Sequence, residues 1–113
     1  MNNRTSLNER LMNDMEIIKE VLNLFLEDTP LLIKKIGTAL DSSDLNAASN
    51  AAHSLKGSAG NIGAEKLQGN AKSIEFASRN RNIEIAKQFF TKTDQLFSEL
   101  KSEIQKILSE ENK

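Results

Sequence analysis

Apolar residues recur along this chain at helical spacing, and strand-like alternation is missing throughout. Residues 1–13 are polar, and Ser6 and Glu9 stand at capping-box spacing, so a short helix is expected there. Asp14 is placed to cap a first long helix, from about Met15 to Leu40. Ile17, Ile18, Val21, Leu22, Leu24, Phe25, Leu31, Leu32, Ile33, Ile36 and Leu40 are its apolar positions. Pro30 lies inside this stretch and should kink or divide the helix near Asp28-Thr29. The apolar arc before Pro30 is wider than one core-facing stripe requires. It either meets several neighbours or leaves a patch open to a partner.

Asp41-Ser42-Ser43-Asp44 reads as a turn, with Ser43 or Asp44 capping the next helix, about Leu45 to Ile62. Gly63-Ala64 suits its end. A third helix is expected from about Glu65 to Ser78, with Leu67, Ala71 and Ile74 on one face. Arg79-Asn80-Arg81-Asn82 is the next break. The last helix, about Ile83 to Ser109, carries Ile83, Ala86, Phe90, Phe97, Leu100, Ile104 and Leu108. Four long amphipathic segments with short connections predict an all-α, up-down antiparallel four-helix bundle, here with a short additional N-terminal helix.

Composition narrows the chemistry. The 113 residues suit a single domain, residues 1–113, with its bundle core at about 15–109. Hydrophobic residues at 38% and charged residues at 27% describe a soluble globular chain. The net charge of −1 gives no expectation of nucleic acid. The absence of cysteine excludes disulfides, thiolate chemistry and cysteine-based zinc sites. No apolar run approaches the roughly 20 residues that span a bilayer. The N-terminal MNNRTSLNER lacks an apolar signal core.

The remaining chemistry gathers in Ala51–Ala64, AAHSLKGSAGNIGA, which holds the chain's one histidine and three of its five glycines. With His53 as origin and a turn of about 100° per residue, Ala47, Ala48, Ala51, Ala52, Leu55, Ala59, Ile62 and Leu45 gather roughly opposite the ring. His53 should therefore face solvent, sharing its side with Asn46, Ser49, Asn50, Lys56, Gly57 and Gly60. Each interior helical glycine costs about 1 kcal/mol relative to alanine. On a solvent face packing does not require Gly57 and Gly60, but close approach of another molecule does.

Several readings compete for these residues. A surface histidine is commonly idle. A nucleotide loop is disfavoured, because Lys56 precedes the glycines and no strand leads into them. One histidine makes no His-rich metal site. General-base catalysis needs an orienting partner and a pocket, and neither is evident. A nucleophilic imidazole fits best: neutral histidine can take a phosphoryl group on a ring nitrogen, with Lys56 as a point charge on the phosphoryl oxygens. The residues alone do not identify the donor.

The run His53-Ser54-Leu55-Lys56-Gly57-Ser58-Ala59-Gly60-Asn61-Ile62-Gly63-Ala64 closely resembles the signature of histidine-containing phosphotransfer (HPt) domains. The match continues through Leu67, Ala71 and Glu75, and Leu24–Pro30 resembles the family's long second helix. The resemblance implies that His53 is phosphorylated, that Lys56 helps hold the phosphoryl group and that Gly57 keeps the ring accessible. It implies a phosphorelay intermediate, without its own ATP-binding or kinase domain, that moves a phosphoryl group between aspartates of response-regulator receiver domains. No cofactor is expected on this chain, Mg²⁺ being supplied with the receiver. Leu22, Phe25, Leu26, Asn50 and Gly60 are the expected partner-binding residues. The resemblance further suggests a monomer in the cytoplasm, either alone or as the cytoplasmic end of a membrane-bound hybrid sensor kinase, with no nucleic-acid or direct membrane contact. The phosphorylatable domain of a chemotaxis-type kinase, or an adaptor bundle with an idle histidine, are the alternatives. Gln68, Lys72, Glu75 and Arg79 form a polar row; the resemblance allows Glu75 or Arg79 to approach the phosphohistidine site, but the preferred reading is a solvated helix face with Glu75 paired to Lys72 or Arg79.

Overall fold

Three of the chain's helix ends share one device, a residue with left-handed φ: Ser43 at 57°, Gly63 at 71° and Arg81 at 61°. At each, the next residue's N–H donates to the carbonyl five residues back. The pairs are Asp44 to Ala39 at 2.8 Å, Ala64 to Ala59 at 2.9 Å and Asn82 to Ala77 at 2.9 Å. This Schellman closure ends the helix and turns the chain sharply. Two of the turns then start the next helix with a side-chain cap. Asp44 accepts from the Ala47 N–H at 3.0 Å, and Asn82 accepts from the Ile85 N–H at 3.2 Å.

The computed structural model describes the backbone of residues 3–111 and the side chains of residues 13–110. The elements are α1 (Asn3–Asp41), α2 (Leu45–Asn61), α3 (Glu65–Arg79), α4 (Ile83–Phe90) and α5 (Thr93–Glu111). Helix α2 packs between α1 and α3, and α4 and α5 together fill the fourth corner against α3 and α1. Ile36, Leu40, Leu55, Leu67 and Ile74 are fully buried between them. Phe25 of α1 meets Phe97 of α5 with ring centroids 6.1 Å apart and planes tilted by 51°.

The expected all-α bundle is present, with three differences in its helices. Helix α1 starts at Asn3, so among the described residues there is no separate N-terminal helix, and both Ser6 and Asp14 lie inside α1. It also runs through Pro30, so of the kink or division expected there the division does not occur. Pro30 is on the solvent side, while Phe25, Thr29, Ile33 and Ile36 on the opposite side are buried, so packing holds the helix across the missing N–H. The last expected helix is two, parted at Thr91-Lys92. Asn70 of α3 fixes that break from outside: its amide donates to the Phe89 carbonyl at 2.8 Å, and its Oδ1 accepts from the buried Thr93 hydroxyl at 2.7 Å. Sequence periodicity on α4–α5 alone carries no trace of a clamp held by α3.

The wide apolar arc on α1 resolves into both of its alternatives. Leu22 and Leu26 pack against the core, while Met15, Ile17, Ile18, Val21, Leu24 and Leu31 stay exposed. The 39-residue helix is long enough to set the molecule's 62 Å length.

The Leu55 side chain is fully buried on the helix that carries the histidine, so truncation leaves a cavity. Leu55→Ala should lower unfolding stability by about 2–5 kcal/mol, read by urea denaturation. A loss below ~1 kcal/mol would contradict close packing there.

Candidate functional site

Because α2 and α3 are joined by the short Asn61–Ala64 turn, they run antiparallel in close contact. Small residues line both sides of that contact: Ala48, Ala52 and Ala59 on α2, and Ala71, Ala77 and Ser78 on α3 are buried. Counting outward from the turn brings Gln68 beside Gly60 and Glu75 beside His53 and Lys56.

His53 stands on the outer side of α2 with its side chain 60% exposed, while the Glu75 side chain beneath it is 4% exposed. The His53 Nδ1 lies 2.7 Å from Glu75 Oε2. Lys56 Nζ donates to Glu75 Oε1 at 2.8 Å. Arg79 Nη2 lies 2.8 Å from Glu75 Oε2, and Arg79 Nε donates to the Ser49 hydroxyl at 3.3 Å. Three donor groups from two helices thus converge on one carboxylate.

Burial by itself would raise the Glu75 pKa. The hydrogen bonds from Lys56 and His53, and the charges of Lys56 and Arg79, outweigh it and hold the carboxyl below its ordinary value of 4.5. An ionised carboxylate only accepts. The proton of the neutral imidazole is therefore on Nδ1, donated to Glu75, and Nε2 keeps its lone pair. That nitrogen makes no hydrogen bond with any described residue, on a side chain that is 60% exposed. A ring held in this tautomer could attack an electrophile without a base, since Nε2 carries no proton.

Of the polar row expected on α3 as a solvated face, Lys72 and Arg79 are exposed and Gln68 is half-buried, but Glu75 is not on that face. Glu75 is buried and joins His53, Lys56 and Arg79, not Lys72. The reason is the facing helix: α2 covers this part of α3 at close range. Ala71, one turn before Glu75, was the available signal, because it marks the same side as core-facing. The orienting partner that seemed missing for the imidazole is Glu75.

The glycines divide. A Cβ on Gly57 would meet nothing within 4 Å, so the surface beside Lys56 is open. A Cβ on Gly60 would come within 2.6 Å of Gln68 Nε2. Gly60 is thus no bare clearing but the seat of the Gln68 amide. Ser49, expected on the exposed side, is buried under Arg79.

Of the expected partner-binding residues, Asn50 is exposed one turn before His53, and Leu22 and Leu26 are half-buried. Phe25 is 5% exposed and packed on Phe97, so it offers no surface to a partner. Its ring completes the core between α1 and α5. Among the described residues no three His, Cys, Asp or Glu side chains gather to hold a metal ion, and no helix is long and apolar enough to cross a membrane.

The fold and site define a class: a helical bundle that presents one imidazole on a rigid helix, backed by a buried carboxylate and flanked by cations. The Hpt domain family model matches residues 20–110, and the chain belongs to that family. It is 28% identical over 97 residues to histidine-containing phosphotransfer protein 2 from Arabidopsis thaliana. That match takes in 83% of this chain and 62% of the relative's length. The crystal structure of histidine-containing phosphotransfer protein B (HptB) from Pseudomonas aeruginosa PAO1 has the same fold, with TM-score 0.78 at 24% identity over 90% of this chain and 86% of that one.

A carboxyl whose pKa is lowered on folding binds fewer protons in the native state than in the unfolded one. Its contribution is full above the unfolded value and is lost as pH falls through the lower folded value. Glu75→Gln should therefore be less stable than wild type at pH 7, by about 1–3 kcal/mol. The gap should narrow as pH falls below the ordinary value of 4.5. Urea denaturation at stepped pH reads both, and a gap constant down to acid pH would contradict the assignment.

Proposed function

We propose that this domain is a phosphorelay carrier. It accepts a phosphoryl group on His53 Nε2 from an aspartyl phosphate of one receiver domain and passes it to an aspartate of another. The observation that carries this reading is the 2.7 Å contact between His53 Nδ1 and a buried, ionised Glu75. It leaves Nε2 unprotonated.

In the forward step the Nε2 lone pair forms the N–P bond and the P–O bond to the aspartate breaks, returning a carboxylate. No proton moves. The ring becomes a phospho-imidazolium that keeps its Nδ1 proton, and the Glu75 carboxylate stabilises the new positive charge. In the reverse step an aspartate forms the P–O bond and the neutral imidazole leaves. Lys56 has three donors, so one can hold Glu75 while another meets a phosphoryl oxygen. Further charge on the phosphoryl group is expected to be met by Mg²⁺ bound on the receiver. Gly57 leaves room for the receiver's loop. Leu22 and Leu26, with Asn50 and the exposed Leu31 of α1, are the surface proposed for docking. The domain would work as a monomer in the cytoplasm, where receivers are met. The chain spans about 62% of the length of the curated relative it matches, so the activity and partners of a longer protein are part of this proposal.

The test is transfer from phosphorylated receiver domains, read as acid-labile, histidine-linked phosphate. Wild type should become labelled and His53→Gln should not. Lys56→Ala should slow transfer about ten- to hundredfold, as expected for losing one donor to a developing charge. Gly57→Gln should impair transfer more than it changes melting temperature, because that position is open. Undiminished labelling of His53→Gln would overturn the reading. Labelling only from an ATP-loaded kinase would assign the domain to a chemotaxis-type kinase instead.

A further inference from the structure

The three Schellman turns place different residues in the left-handed position. Gly63 is there without strain, whereas Arg81, with φ of 61°, has a Cβ that disfavours the conformation. Folding does not need this arginine. Its side chain is exposed, and its guanidinium makes no hydrogen bond or ion pair with any described residue. Arg79, two residues earlier, is by contrast committed to Glu75 and Ser49.

Arg81 and Arg79 line a polar hollow of about 440 Å³ with Asn46, Ser49 and Asn50 of α2. Asn50 and Asn46 lie three and seven residues before His53, an axial rise of about 5 Å and about 10 Å along α2. The hollow's Arg79 edge adjoins the Glu75 cluster, and its Asn46 end lies well along α2 from the ring that would take a phosphoryl group. It is near enough to meet the protein that delivers one. A guanidinium fork beside two amide side chains suits a carboxylate.

We infer that Arg81 is a specificity-determining docking contact, which with Asn46 and Asn50 receives an acidic side chain on the receiver surface beside its phosphorylated aspartate. This rests on the carrier reading above. The contact steers and orients the receiver and takes no part in the phosphoryl step itself.

The experiment compares wild type with Arg81→Gly, Arg81→Lys and Arg81→Glu. A receiver domain charged with acetyl phosphate and Mg²⁺ donates in one arm. Phosphoramidate, which phosphorylates histidine with no protein partner, donates in the other. Arg81→Gly should melt at a higher temperature than wild type, because glycine relieves the strained turn. Its second-order transfer rate from the receiver should nevertheless fall about threefold at low salt, and that of Arg81→Glu about tenfold. Arg81→Lys should keep most of the rate. The differences should shrink as salt screens the exposed charge. Rates with phosphoramidate should be equal in all four proteins. Receiver rates unchanged in Arg81→Gly and Arg81→Glu would overturn the inference, as would parallel losses with phosphoramidate. A wild-type chain that takes no phosphoryl group from receivers yet reacts with phosphoramidate would overturn the carrier reading itself.

Discussion

Glu75 carries a negative charge into a site where almost none of its side chain meets water, and such a charge persists only if donors surround it. His53, Lys56 and Arg79 are those donors. Each is held in turn by the arrangement. The ring is fixed by its Nδ1 hydrogen bond, the lysine is drawn down beside it, and the arginine bridges to Ser49. One carboxylate thus decides the ring's tautomer and orientation and gathers two cations, Lys56 and Arg79, into the same cluster. With one anion and two cations, the cluster retains a positive charge that suits the proposed phosphoryl transfer.

The rest of the fold serves to bring that carboxylate under the imidazole. The alanines and Ser78 between α2 and α3 let the helices close to the distance at which Glu75 reaches His53. The Gly63 turn sets their register. Asp44 caps the start of α2, so the histidine is on a helix anchored at both ends rather than on a loop. Gly57 leaves the surface beside Lys56 open, and the space over Gly60 is taken by Gln68.

Much of this was legible in the chain. Opposing alanines with Leu55 and Ile62 put His53 on the solvent side, and the breaks at Asp41–Asp44, Gly63 and Arg79–Asn82 stand where the helices end. What could not be read came from residues acting across helices. Glu75 reads as one member of a polar row until α2 is laid over it. Thr91-Lys92 reads as helix until Asn70 is seen to hold Phe89 and Thr93. Pro30 reads as a kink or a break, and only the burial on its opposite side explains why the helix is not divided there. Phe25 and Leu24 are neighbours in one apolar run, and only the position of α5 sends the first to Phe97 and leaves the second in solvent.

The role given to Glu75 is tested most directly by finding which ring nitrogen takes the phosphoryl group. Long-range ¹H–¹⁵N correlation spectra of the phosphorylated, ¹⁵N-labelled domain distinguish the two. Phosphorus on Nε2, with a proton retained on Nδ1, is the expected result. Phosphorus on Nδ1 would contradict it, because that nitrogen would have to leave the Glu75 carboxylate that is held here to fix the ring.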